Sequence, residues 1–274
     1  MTVRVDSLQR EGQEPDRTSS KGNQNKWKAG GKWYKEDGLG YEALAEVLIS
    51  RLLEKTNIET FVPYAYTALE KEGKILHGCC SEDFMEAEDD KVISVERLFQ
   101  TFYGGSAAKL VLPYTEPADR IRYVAESVEK VTGLQDFGGY LRRILTIDAL
   151  FLNEDRHFHN LAVIQRLDGT YRLCPIFDNG AALFSDVRSD YPLDMDLEQC
   201  YARIEAKPFS RDFDEQLDAC EMLYGSFRFR ANFGVGDVER ILGEFKGIYE
   251  VAVLERVLEI MRRQIRKYGY LFSR

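Results

Sequence analysis

Two carboxylates, an arginine, two histidines and two asparagines crowd into eight residues, Asn153-Glu154-Asp155-Arg156-His157-Phe158-His159-Asn160, directly after the apolar stretch Ile144 to Leu152. Polar groups at such a junction sit at the rim of a core, where loops carry chemistry. Asp155 and Asn160 are five positions apart, the spacing at which a phosphoryl-transfer loop holds a base and a metal-binding amide. Asp178 arrives 23 residues after Asp155, in Phe177-Asp178-Asn179-Gly180. A carboxylate beside a flexible glycine suits a hard cation such as Mg²⁺. The order of base, amide and carboxylate across one hairpin is more specific than any of its parts. It fits a reaction that needs positioning and charge neutralisation more than covalent work by the protein. His157 and His159 do not add a zinc site, because only His77 joins them in the chain and no cysteine pair stands near.

These residues need elements to hold them. Val3 and Val5 alternate as a strand would, and a polar stretch from Glu11 to Lys26 leads to Trp27-Lys28-Ala29-Gly30-Gly31-Lys32-Trp33-Tyr34-Lys35. A Gly-Gly pair between aromatic segments predicts a hairpin, with Trp27 and Trp33 as its packing residues. Leu44, Val47, Leu48 and Leu52 recur at helical spacing within Leu39 to Lys55. Ile58, Phe61-Val62, Tyr64, Tyr66 and Ile75-Leu76 predict short strands with a turn at Lys71-Glu72-Gly73-Lys74. Amphipathic helices are expected over Ser94 to Phe102, Glu116 to Thr132, Gly139 to Asn153 and the tail from Asp237 to Tyr268. A hairpin, Leu161 to Ile164 with Tyr171 to Leu173, separates the polar loop from Asp178. Residues 185–236 carry polar and aromatic groups without an assignable pattern.

Composition bounds the class. A chain of 274 residues, 44 % hydrophobic, builds a substantial core without disulfides. Its formal charge of −9 is spread along the chain, so no basic face for nucleic acid is expected, nor an anionic membrane as primary partner. The five cysteines form no C-x-x-C pair and read as reduced thiols. With a polar, charged start and no long apolar run, the expectation is a cytoplasmic protein. Gly-x-x-x-x-Gly-Lys-Ser/Thr is absent, which excludes a Walker-type site.

Asn153-x-Asp155-Arg156-His157-x-x-Asn160, a hairpin, then Pro175-Ile176-Phe177-Asp178-Asn179-Gly180 resembles the catalytic core of the HipA-like serine/threonine kinases, whose fold is related to protein kinases and phosphoinositide kinases. The resemblance extends upstream: Ser19-Ser20-Lys21-Gly22-Asn23-Gln24-Asn25-Lys26 is similar to that family's phosphate loop, Tyr34-Lys35 to its ATP-contacting lysine, and Tyr41-Glu42 to the acidic partner at the start of the next helix. The resemblance implies an α+β, two-lobed protein-kinase-like fold, with a β-rich N-lobe over 1–82 and a mainly helical C-lobe over 83–274. It implies ATP and Mg²⁺ as cofactors and γ-phosphoryl transfer to a Ser or Thr hydroxyl of a protein. Ser19 and Ser20 flank the loop that must close over ATP, where a phosphate would repel the nucleotide, so self-phosphorylation there is a further expectation.

Residue by residue, it makes Asp155 the group that orients or deprotonates the acceptor hydroxyl and His157 a source of charge neutralisation on the transferred group. Asn160 and Asp178 become the oxygen ligands of Mg²⁺. Lys35 contacts the α- and β-phosphates, braced by Glu42 in preference to Glu46. Backbone amides of Ser20, Lys21, Gly22, Asn23 and Gln24 cradle phosphate oxygens, and Lys26 adds charge. Cys79 to Phe84, with Glu82 and Phe84 at its end, reads either as a hinge whose backbone pairs with adenine or as an ordinary linker. Two other readings share the motifs: a lipid or small-molecule kinase of the same fold, and a non-catalytic nucleotide-binding scaffold. The scaffold is expected to lack one of Lys35, Asp155, Asn160 or Asp178, and all four are present. Oligomeric state and the identity of the acceptor have no sequence signal.

Overall fold

The valine alternation is realised as a short strand, β1 (Thr2–Arg4), and the Gly-Gly hairpin as β2 (Lys26–Ala29) and β3 (Lys32–Glu36). Gly30 and Gly31 have φ of 56° and 76°, the left-handed pair that a two-residue hairpin turn demands. The computed structural model describes residues 2–6, 8, 24–230 and 233–272. A long hairpin, β4 (Ala65–Lys71) and β5 (Lys74–Glu82), completes a five-stranded sheet of order β1-β4-β5-β3-β2, with β1 parallel to β4 and the other pairs antiparallel. Ile58 to Val62, expected as strand, is not one of the named strands of this sheet. Pro63 follows it and cannot donate to a ladder, and Ile58 and Val62 are buried as loop residues instead. Helix α1 (Glu42–Leu53) packs on the sheet and is buried on nearly every face, as a helix apolar all round must be.

The next segment forms a separate small sheet and a helical core. Strand β6 (Lys91–Ser94) leads through the Ser94 cap into α2 (Val95–Tyr103) and the short α3 (Ala107–Leu110). Then come α4 (Pro117–Thr132) and α5 (Phe137–Phe151), followed by β7 (Ala162–Gln165) and β8 (Tyr171–Leu173). The order β6-β7-β8 is antiparallel throughout. Helix α5 ends at Leu152, whose φ of 58° stops the helix and starts the polar loop.

The remaining chain supplies α6 (Leu197–Arg203), α7 (Phe213–Tyr224), α8 (Val235–Gly243) and α9 (Val251–Lys267). The first two lie in the stretch for which the sequence offered no assignment. The tail expected to be helical from Asp237 to Tyr268 is two helices, because Gly247 turns the chain at φ 81° and Tyr249 is drawn inward to donate to Asp37 (2.7 Å). Helix α9 also carries Arg256, whose buried guanidinium donates to the carbonyls of Tyr191, Pro192, Leu193 and Met195. That one side chain fixes the turn before α6.

The chain divides into two compact units: Met1–Asp83 with Asp178–Ile204 and Arg228–Arg274, and Phe84–Phe177 with Glu205–Phe227. The first holds the five-stranded sheet, α1, α6, α8 and α9; the second holds the three-stranded sheet, α2 to α5 and α7. Among the described residues, no helix is long and apolar enough to cross a membrane.

Candidate active site

In the first unit a lysine is buried between two carboxylates that come from distant parts of the chain. Lys35 is on β3, opposite Cys79 of β5. Its ammonium lies 2.6 Å from Oε1 of Glu46 on α1 and 2.7 Å from Oδ1 of Asp178, with the Tyr64 ring 4.9 Å away. Burial works to lower the lysine pKa, but Asp178 and Glu46 together outweigh it and hold the ammonium well above the usual lysine range. Lys26 stands 3.6 Å from the other Asp178 oxygen, and Glu46 Oε2 accepts the backbone N–H of Asn179 (3.0 Å). Glu46 therefore grips the lysine and the Asp-Asn-Gly turn at once.

Glu42, expected to brace Lys35, does not pair with it. It sits in the first turn of α1, where its carboxylate accepts the N–H groups of Gly38 (3.1 Å), Leu39 (2.5 Å) and Gly40 (2.9 Å). Burial raises its pKa despite those bonds. The brace is one turn further on, since α1 needs its first turn against the loop that precedes it. That loop is itself tied to the segment after Asp178. Gly40 bridges Asp186, and a Cβ there would fall 2.1 Å from the Ser185 carbonyl, an approach open only to glycine.

Backbone strain collects on the same segment. Asp178, Leu183 and Phe184 have φ of 62°, 59° and 57°, a region unfavourable for bulky L-residues and retained where the surroundings over-determine it.

The second unit carries the polar loop. Arg156 is fully buried and grips Asp148 of α5 through Nε and Nη2 (both 3.0 Å), while Nη1 donates to the Phe177 carbonyl (2.8 Å). Asn153 adds a bond to Asp148 (3.0 Å). Burial pushes the Asp148 carboxyl up, against the pull of Arg156. Phe177 directly precedes Asp178 in the chain, so this clamp fixes the backbone at the point where the Asp-Asn-Gly turn begins. On the loop it supports, Asn160 donates its amide to the Asp155 carbonyl (3.0 Å), and the His157 N–H donates to the same carbonyl (2.9 Å). The Asp155 carboxylate has Oδ2 3.7 Å from His157 Nε2 and Oδ1 3.4 Å from Lys207 Nζ.

Of the other expected residues, Gln24 donates to the Glu36 carbonyl (2.8 Å) and so lies along β3. Ser20, Lys21, Gly22 and Asn23 lie outside the described residues. Glu82 pairs with Lys32 (2.7 Å) at an exposed sheet end, and the next N–H, of Asp83, donates to Gly31. Phe84 packs on Phe177 (ring centroids 5.9 Å) over Ala162, Ile164 and Cys174 in the second unit. Among the described residues, no three His, Cys, Asp or Glu side chains converge as a metal cage.

Glu46 was weighed from sequence and passed over for Glu42, and Asp148 and Lys207 were not singled out. Asp148 had a signal, a lone carboxylate in Ile144-Leu145-Thr146-Ile147-Asp148-Ala149-Leu150, since a buried charge must find a partner. Lys207 had none.

The architecture is a two-lobed, protein-kinase-like α+β fold. No family model matches the chain, and no curated protein matches it by sequence. Among solved structures, the chain is similar to the Helicobacter pylori proinflammatory kinase CtkA, with a TM-score of 0.65 at 13 % identity over 97 % of this chain and 95 % of that one. At that identity the likeness defines the fold, and the chemistry has to be argued from the residues.

Proposed function

We propose that this chain is a HipA-like phosphotransferase that uses ATP and Mg²⁺ to transfer the γ-phosphoryl group to a Ser or Thr hydroxyl of a protein, its own Ser19 or Ser20 included. The observation that carries the reading is the convergence of Lys35, Glu46 and Asp178 from β3, α1 and the Asp-Asn-Gly turn, within a kinase-like fold. A buried lysine held as a cation by two carboxylates is costly to build, and its use is to meet phosphate oxygens. In this reading Lys35 binds the α- and β-phosphates, and Asp178 and Asn160 hold the metal. When bound, Mg²⁺ neutralises charge on the phosphates. Asp155 accepts the proton of the acceptor hydroxyl, and the Asp148–Arg156 clamp holds the loop that carries it.

A protein acceptor is preferred to a lipid because the net charge of −9 disfavours an anionic surface. The likeness to the Helicobacter pylori kinase agrees with the reaction class. The test is transfer of label from γ-labelled ATP by wild type, Asp155→Ala and Asp178→Ala, with modified residues mapped by mass spectrometry. Wild type is expected to transfer label and both variants to lose it. Equal transfer by all three would overturn the assignment.

A further inference from the structure

Loop 204–212 brings a lysine to the carboxylate that the proposed function makes the base. The loop is pinned on both sides of Lys207. Ala206 is buried and its N–H donates to the Arg211 carbonyl (2.8 Å), while Phe209 is fully buried and meets Phe158 edge to face at 5.7 Å. Phe158 belongs to the Asp155–Asn160 loop itself, so the two loops are packed as one body. Arg120 of α4 adds a bond to the Phe209 carbonyl (2.8 Å). Lys207 Nζ is thereby delivered 3.4 Å from Asp155 Oδ1, the side chains being 36 % and 11 % exposed. An ordinary surface lysine rides on a mobile stem; this one leaves a loop fastened at the residues around it.

We propose that Lys207 is the positioning residue of the phosphoryl acceptor site. Its ammonium holds Oδ1 and so orients the Asp155 carboxylate with Oδ2 toward the incoming hydroxyl. In the step it serves, the acceptor O–H bond breaks with its proton passing to Asp155. The acceptor oxygen bonds the γ-phosphorus of ATP, and the bond from that phosphorus to the bridging oxygen breaks, with its electron pair leaving on ADP. Lys207 supplies fixed positive charge beside the carboxylate throughout, and needs no proton transfer of its own. The inference rests on Asp155 being the base.

The test compares wild type, Lys207→Met, Lys207→Arg, Asp155→Asn and the double variant Lys207→Met/Asp155→Asn. Mg·ATP turnover is read both as label transferred to protein and as phosphate released to water. Arg211→Ala, which breaks the exposed Glu205 pair in the same loop, controls for loosening of the loop. Lys207→Met is expected to lower kcat by about 10- to 100-fold, the scale of a misoriented catalytic group, with the KM for ATP and the melting temperature unchanged. Lys207→Arg is expected to recover most of the loss, Arg211→Ala to resemble wild type, and the double variant to be no slower than Asp155→Asn alone.

A Lys207→Met enzyme within threefold of wild type while Asp155→Asn is inactive would overturn this inference and leave the functional reading standing. Equal losses in Lys207→Met and Lys207→Arg, or a lowered melting temperature in both, would also overturn it, as would a further loss in the double variant. Full turnover by Asp155→Asn, or none by wild type in either readout, would sink the functional reading and this inference together.

Discussion

Glu46 and Glu42 are one helical turn apart, and the structure gives them opposite jobs, which makes their substitution a sharp test. Glu46→Ala removes a fully buried carboxylate 2.6 Å from Lys35 and strips the Asn179 N–H of its acceptor. Breaking a buried ion pair by deleting one partner costs about 3–5 kcal/mol. Asp178 remains 2.7 Å from the ammonium, which places the loss near the lower end, about 3 kcal/mol. The orphaned N–H adds about 1 kcal/mol. A chain of this size loses about 2–4 °C in melting temperature per kcal/mol, so a fall of about 8–16 °C is expected, together with loss of Mg·ATP turnover.

Glu42→Ala removes acceptors from three N–H groups at a helix start, a change on the scale of about 1–2 kcal/mol, or about 2–8 °C. It leaves the Lys35 pair untouched, so turnover should persist. Differential scanning calorimetry and labelled-ATP turnover on both variants decide the matter. If Glu42→Ala abolished turnover while Glu46→Ala kept it, the pairing argued from the geometry would be wrong.

Two further predictions concern the scaffold. Burial pushes the Asp37 carboxyl up to about 7, reinforced by Glu42 and opposed by bonds from Ala43 and Tyr249. Its folded value therefore lies above the unfolded value near 4, so the folded state binds the extra proton and this group's contribution to stability falls as pH rises from about 4 to about 7. Relative to Asp37→Asn, wild type should lose stability across that window in urea titrations and change no further above it; parallel pH curves for the two would refute the assignment. Arg156→Met leaves Asp148 buried without its cation and should cost about 3–5 kcal/mol, read as a lowered urea midpoint, with Asp148→Asn/Arg156→Met recovering part of the loss; a midpoint equal to wild type would contradict the clamp.

The candidate site was legible in sequence to the extent that its chemistry demands rare residue types at fixed spacing. Asp155, Asn160 and Asp178 were singled out because an acid, an amide and an acid in that order around a hairpin are more specific together than apart. Lys35 came only from the resemblance of Tyr34-Lys35 to a kinase family's lysine. What sequence did not resolve was choice among equivalents. Glu42 and Glu46 have the same chemistry and adjacent helical positions, and only the angle at which α1 meets the sheet decides which one reaches the lysine. Lys207 was invisible for a different reason: its loop reaches Asp155 through Phe209 packing on Phe158, a contact between residues 51 positions apart that no local pattern encodes. The same holds for Gly247 and Tyr249, which divide a tail whose apolar spacing reads as one continuous helix.

The strained residues point the same way from the backbone. Leu152 and Asp178 stand at the two ends of the segment that runs from the polar loop to the Asp-Asn-Gly turn, and each holds a left-handed conformation at a cost of about 1–3 kcal/mol. Neither is glycine, so the strain is not relieved by residue choice. Between them Arg156 grips Asp148, four residues before Leu152, and the carbonyl of Phe177, one residue before Asp178. A single buried guanidinium thus fixes the chain near both strained points. The arrangement makes sense if the orientation of Asp155 and the departure angle of Asp178 must both be set to within a fraction of an ångström, the tolerance that phosphoryl transfer by positioning imposes. On that argument the Arg156 clamp serves kcat as well as folding. Arg156→Lys keeps a cation against Asp148 but cannot also span to Phe177 with a planar fork, so it is the variant in which turnover should fall further than stability.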